Sequence, residues 1–328
     1  MKNINKLIII STLLTLGLVG CAGQGKSDEG SKACGDCSIP AFHTQSLELK
    51  VAAPAGSPAV ALFAHISEST VEINAAENVQ SYMTDTADKD IVILPTNYGV
   101  NMIANKGVGF KLAATVTFGN FFLLSTGKDS DGVLSEGDKV IAFQQNGVAG
   151  KLFNYVYGDK GLDVTYLTDA ASVKNKILTE DLDAGYVLLA QPVVAAILGQ
   201  KSEYKVYANV QNDYKEKTGG KEITQASIFV RNDVDANKAK TFLKNIKEDV
   251  EALLKDPELL ASATSEIEDQ VFTTKLTGTK TLVTNLLKNN NQIGLGFKYA
   301  VDNKESIDAF IGTLGLPATN EEIYFRIN

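Results

Sequence analysis

From residue 47 onward the apolar and polar positions repeat one unit: a short apolar run, a loop containing Pro or Gly, then a segment with helical spacing. Strands alternating with helices in this way predict an α/β domain on a largely parallel sheet. The first strand is expected over residues 47–53, followed by the loop Pro54-Ala55-Gly56-Ser57-Pro58 and a helix over 59–66. Strands follow at 71–75 and 90–94, and Pro95-Thr96-Asn97 then leads into a helix over 98–105. The runs 110–117 and 121–125 are two strands parted only by Phe118-Gly119-Asn120. With no helix between them, the chain is expected to leave one sheet for another at that break.

The middle of the chain follows the same grammar. A strand at 139–143, the turn Gln144-Gln145-Asn146-Gly147 and a helix over 148–157 are followed by a strand at 163–167. Thr168 can cap the next helix, with Asp169 well placed in its first turn. Another apolar strand spans 184–189, and Gln191-Pro192 marks the start of a helix continuing over 193–198, since a proline at the first helical position lacks only an N–H that had no partner. Pro54, Pro58, Pro95 and Pro192 all fall at strand-to-helix junctions, which collects those loops on one edge of each sheet. After a polar loop at 212–221, a return strand is expected over 223–230. The strongest helix follows, capped by Asn232 or Asp233, with Phe242, Leu243, Ile246, Val250, Leu253 and Leu254 on one core-facing stripe. Further helical segments are expected over 257–265, 278–288 and 304–314.

The first residues have a different character. Lys2 and Lys6 precede an apolar stretch over 7–19, too short to span a bilayer, and Leu18-Val19-Gly20-Cys21 ends it in the form that a lipoprotein signal peptidase recognises. The alternative is an ordinary cleaved signal with a chance Cys. On the first reading, residues 1–20 are a signal peptide, Cys21 carries lipid, and the small polar residues of 21–45 form a flexible tether. Removing Lys2 and Lys6 from a net charge of −8 leaves about −10, which argues against nucleic acid or an anionic membrane face as partner. Cys34 and Cys37 are read as a local disulfide or idle thiols, or alternatively as a redox pair or half of a metal site. Asp129-Ser130-Asp131-Gly132 superficially suggests a calcium loop, but Lys139 and Val140 stand where its closing Glu belongs, so a solvated turn is expected.

Two α/β lobes joined by two crossings and tethered outside the cell suit a solute trap. Leu49-Lys50-Val51-Ala52-Ala53-Pro54, then Asp90-Ile91-Val92-Ile93-Leu94-Pro95-Thr96 with Gly107 and Phe110-Lys111-Leu112-Ala113-Ala114, carry a resemblance to the substrate-binding lipoproteins of ABC importers. Within the type II periplasmic-binding class, the chain looks closest to the branch of sulfonate, taurine and thiamine-precursor binders. The resemblance implies a Venus-flytrap fold, with lobe 1 formed by residues 46–121 and 223–328 and lobe 2 by residues 122–222. It implies a small-molecule ligand, an ABC permease as membrane partner, a monomeric body and no cofactor. Ligand contacts are expected in loops beyond the strand ends, at Ser57, Thr96, Asn97, Tyr98, Asn120, Phe121, Gln145, Asn146 and Gln191. Those loops contain no Arg, Lys, Asp or Glu, so the ligand is expected to be neutral or zwitterionic. Some proteins of this fold are enzymes, and a sensor domain is a further alternative. Catalysis would need a His, Cys or carboxylate at the ligand, whereas His43 is placed in the tether and His65 at a surface or helix end, so neither a catalytic residue nor a metal site is expected.

Overall fold

The computed structural model describes residues 42–128, 132–180 and 182–327. The signal segment, Cys21, Cys34, Cys37 and the Asp129-Ser130-Asp131 turn lie outside the described residues. The chain begins with β1 (Val51–Pro54), α1 (Ser57–Val60), β2 (Val71–Asn74), α2 (Ala76–Gln80), β3 (Ile91–Pro95), α3 (Thr96–Lys106) and β4 (Phe110–Thr117). It continues through β5 (Phe121–Ser125), β6 (Lys139–Phe143), α4 (Val148–Tyr157), β7 (Asp163–Leu167), α5 (Ala170–Thr179), β8 (Tyr186–Ala190), α6 (Val193–Leu198), β9 (Lys205–Asn209) and α7 (Val210–Lys217). The last part comprises β10 (Ala226–Arg231), α8 (Ala236–Lys255), α9 (Leu259–Ala263), α10 (Asp269–Leu276), α11 (Lys280–Lys288), β11 (Leu295–Tyr299) and α12 (Lys304–Thr313).

These strands form a six-stranded sheet in the order β11-β4-β10-β3-β1-β2 and a five-stranded sheet in the order β7-β6-β8-β5-β9. The chain changes sheets at Phe118-Gly119-Asn120, as the missing helix implied, and returns with β10. The backbone is tightly packed at this crossing. Gly119 has φ 96° and Gly294 φ 66°, and a Cβ on Gly294 would sit 2.1 Å from the Gly119 carbonyl oxygen. The Phe118 N–H donates to the Gly294 carbonyl at 2.7 Å, so the segment before β11 closes directly over the crossing.

The sheets are mixed rather than largely parallel. β1, β2 and β3 run parallel, as do β6, β7 and β8, but β10 is antiparallel to β3 and β4, and β5 is antiparallel to β8 and β9. A strand that arrives from the other sheet without a crossover helix enters from the opposite end, which gives antiparallel pairing. The expected loop at 212–221 is largely helix instead. Asn209 caps α7 by accepting from the Gln211 N–H at 3.0 Å, and Val210 and Tyr214, one turn apart, bury its inner face. The expected helix over 59–66 shortens to α1 followed by tight turns, because Ala59, Val60, Ala61, Leu62, Phe63 and Ile66 are all buried and leave no polar face. Asp235 caps α8, accepting from the N–H groups of Asn237 and Lys238 at 2.9 and 3.0 Å, and Asp169 rather than Thr168 caps α5.

The stripe on α8 packs as expected against the larger sheet. Phe242, Leu243, Ile246, Val250 and Leu253 join Val51, Ile91 and Ile93 in one core, while Leu254 turns outward. The smaller sheet has its core between Leu123, Val140 and Leu189 and the helices that carry Leu152, Phe153 and Ile177. The helix α12 straddles both, packing on α3 and on α4. At its end the Leu314 carbonyl accepts from Lys151 Nζ at 2.7 Å. Among the described residues, no helix is long and apolar enough to cross a membrane.

The two histidines are placed differently from the sequence expectation. His65 is 1 % exposed rather than at the surface, and the body is already packed at His43, ahead of the expected start at residue 46. Both converge on the buried Asp249 of α8: His43 donates its backbone N–H to Oδ1 at 2.8 Å and places Nδ1 2.9 Å from the same oxygen. His65 Nε2 lies 3.8 Å from Asp249 Oδ2, and its Nδ1 lies 2.7 Å from Glu68 Oε1. Burial pushes the His65 pKa down, but the two carboxylates outweigh it, and the net direction is upward from 6.5. A raised folded-state pKa stabilises most where the ring is protonated, so the contribution is complete below about pH 6.5 and fades as pH rises through the raised value. Urea unfolding of the wild type and His65→Gln should therefore show a wider stability gap near about pH 6 than near about pH 9; an equal gap at both would remove the charged-imidazole account.

Candidate functional site

Loops at the ends of strands from both sheets enclose a cavity of about 290 Å³. The larger sheet contributes the Pro54-Ala55-Gly56-Ser57-Pro58 loop after β1, Pro95 at the end of β3, Thr117 at the end of β4, and Gln225 entering β10, with Thr277 after α10. The smaller sheet contributes Asn120 and Phe121 at β5, Gln144 after β6, Val148 opening α4, and Gln191 after β8. No Asp, Glu, Lys, Arg or His stands among the residues lining it, so its polarity comes from side-chain amides and hydroxyls.

Asn120 is the best-anchored of these groups. Its Nδ2 donates to the Gln191 carbonyl at 3.2 Å and to Ser57 Oγ at 3.4 Å, while the Gln191 N–H donates to the Asn120 carbonyl at 3.0 Å. Gln191 itself is committed elsewhere: Nε2 donates to Gln292 Oε1 at 2.7 Å, and Oε1 accepts from the Ala195 N–H at 3.2 Å in the first turn of α6. Phe121 is buried beside Phe143, with ring centroids 6.2 Å apart. Three oxygens on lining residues are buried without any hydrogen-bond partner: Thr117 Oγ1, Asn120 Oδ1 and Gln225 Oε1. An unsatisfied buried polar group costs about 1–3 kcal/mol, and these three belong to residues around one cavity.

The other expected residues fall around this cavity. Asn97 and Tyr98 wall a second hollow of about 350 Å³ with Asn146, Val148, Lys151 and Leu316. Gln145 and Asn146 edge a third of about 520 Å³, beside Tyr166 and Thr168. The three adjoin at the turn between β6 and α4: Val148 borders the first and second, Gln144 the first and third, and Gly147 the second and third. Thr96 lines none of them. It is fully buried, with Oγ1 2.7 Å from Ser227 Oγ, and its N–H donates to the Gln225 carbonyl at 3.1 Å.

Sequence reasoning missed Thr117, Gln144, Gln225 and Thr277. Thr117 had a signal, since it is the last residue of its strand, where ligand loops begin. Gln225 was counted as strand interior because the return strand was expected to start at residue 223, whereas β10 starts at Ala226. The turn that joins the hollows rests on Gly150, where an added Cβ would meet the Gln144 carbonyl oxygen at 2.4 Å and Gln145 Cα at 2.6 Å. Gly150→Ala should therefore push this turn off α4 and lower stability by about 1–3 kcal/mol in urea unfolding; a neutral result would show that the turn moves freely.

No protein-family model and no curated protein matches the sequence. Solved structures match it in fold. An ABC transporter protein from Parabacteroides distasonis has 16% identity and a TM-score of 0.67, over 86% of this chain and 99% of that one. The periplasmic aliphatic sulphonate binding protein of Escherichia coli has 14% identity and a TM-score of 0.58, over 85% and 92%. The ligand-binding component of an ABC-type import system from Staphylococcus aureus, with zinc bound, has 8% identity and a TM-score of 0.56, over 86% and 97%. The chain has the two-sheet α/β fold of type II periplasmic binding proteins, which these structures share.

Proposed function

We propose that this protein is an extracytoplasmic solute-binding protein that captures a small neutral or zwitterionic molecule between its two lobes and hands it to an ABC permease. The observation that carries the reading is the cavity at which strand ends of both sheets meet, lined by amides, hydroxyls, prolines and Phe121 and by no ionisable side chain. Such a wall can hold a polar molecule by hydrogen bonds while shielding it from water. Chemistry on the bound molecule would require a nucleophile or proton carrier beside it, and both histidines are engaged at Asp249 instead. In this reading residues 46–121 with 223–328, and residues 122–222, move as lobes about the two crossings, and the ligand favours the closed arrangement by its contacts with both. Fold likeness to importer binding proteins supports the permease as partner.

The anchor completes the proposal: residues 1–20 direct export, and lipid on Cys21 holds a monomeric body at the membrane through a polar tether. Cys21→Ala should move the protein from the membrane fraction to the soluble one in cells that process lipoproteins, and mass spectrometry of the wild type should find acyl chains on Cys21. Unmodified Cys21 on a membrane-free protein would refute the anchor. For the cleft, native mass spectrometry of the freshly purified chain should reveal a small molecule bound at one per protein and released with its mass unchanged. Conversion of that molecule during incubation would favour an enzyme.

A further inference from the structure

The two crossings between the sheets, at residues 118–120 and 221–225, touch one another and share partners. A Cβ on Gly119 would lie 3.3 Å from Ile223 Cδ1 and 3.1 Å from Gln211 Oε1, so the first crossing rests against the second and against α7. Gln211 Oε1 in turn accepts from the Ile223 N–H at 3.0 Å, which places one side chain of α7 against both crossings. Lys298 of β11 does the same from the larger sheet. Its Nζ lies 5.7 Å from the centre of the Phe118 ring and donates to Glu222 Oε2 at 2.6 Å. The Phe118 ring also covers Gly296, where a Cβ would come within 2.8 Å of it. Glu222, with 19 % of its side chain exposed, faces a cation from each side: Lys298 of β11 through Oε2, and Lys215 Nζ of α7, 3.7 Å from Oε1. Its backbone N–H donates to Ser306 Oγ of α12 at 3.2 Å.

We infer that Lys298 and Gln211 lace the two crossings into a single hinge, with Glu222 as the charge that holds Lys298 in place. Displacing either crossing carries these shared side chains with it or breaks their contacts, so a disturbance at Glu222 reaches Phe118. Lys298 is thereby a positioning residue: it lines no part of the cavity, but Asn120 and Gln225, at the ends of the two crossings, both do. Resting on the proposed reading of that cavity, the lacing means that an ion pair outside it bears on how its walls move when a solute is captured. The hinge is then sensitive to ionic strength although the wall itself has no ionisable side chain.

Hydrogen–deuterium exchange on the full chain, read by mass spectrometry, tests this without any ligand. The reporter is the Phe118 amide of the first crossing, bonded to the Gly294 carbonyl, and the perturbation is Glu222→Gln in the second. A laced hinge expects exchange at residues 118–120 to rise about 3-fold in Glu222→Gln and in Lys298→Met, with exchange in β7 unchanged. Raising NaCl from about 50 mM to about 500 mM should do the same to the wild type and leave Lys298→Met unaffected. Glu222→Gln added to Lys298→Met should change nothing further, because both remove one interaction. An increase confined to residues 221–225, with Phe118 unmoved, overturns the inference. An equal rise in β7, the mark of a general loss of stability, also overturns it, as do effects of the two substitutions that simply add. None of these outcomes touches the solute-binding reading, whose own test is the molecule retained in native mass spectrometry.

Discussion

The cleft depends on how closely two sheets can approach where the chain passes between them. At Phe118-Gly119-Asn120 there is no room for a side chain on Gly294, which lies against the Gly119 carbonyl and accepts from the Phe118 N–H. Three residues thus carry the chain from the end of one sheet to the start of the other, so Thr117 and Asn120, on opposite sides of the crossing, border one cavity. A longer or bulkier connection would separate the strand ends and with them the groups that could touch one small molecule together.

Charge and hydrogen bonding are divided between the outside and the inside of this body. Ion pairs such as Lys247–Glu251 at 2.8 Å and Lys238–Glu48 at 2.8 Å stand on exposed surface, where each contributes little to stability. The partly buried cluster of His43, His65, Glu68 and Asp249 joins α8 to segments earlier in the chain, and none of its members lines the cavity. The cavity keeps only neutral dipoles, some of them fixed by each other, as Asn120 is by Gln191 and Ser57. Interactions of that kind select by direction and shape rather than by net charge.

The apolar periodicity made most of the fold legible before any coordinates. Strands at 110–117, 121–125, 139–143 and 163–167 coincide with β4, β5, β6 and β7 because each is a contiguous apolar or alternating run with a clear break at both ends. α7 was hidden because only Val210 and Tyr214 face inward and the remaining positions read as loop. β9 and β11 were not expected; both are edge strands, half exposed, as Val206 at 43 % shows, although β7, at the other edge of the smaller sheet, was expected. Around the cleft, the strand-end rule reached Ser57, Asn120, Phe121 and Gln191, which share one cavity. It could not show that Thr96 turns inward to Ser227, or that Gln225 stands outside its strand, since both depend on pairing between β3 and β10, more than a hundred residues apart. His65 escaped for a similar reason: its partner, Asp249, is supplied by a helix from the far end of the chain.

The position of α12 bears on how this body can flex. Resting on α3 and α4 alike, and tied through Leu314 to Lys151, it forms a keel beneath both halves. Leu314 and Leu316 wall the hollow at Asn97 and Tyr98 but not the cavity at Asn120. A molecule in the first space would therefore rest against the end of this helix, whereas one in the second would not touch it.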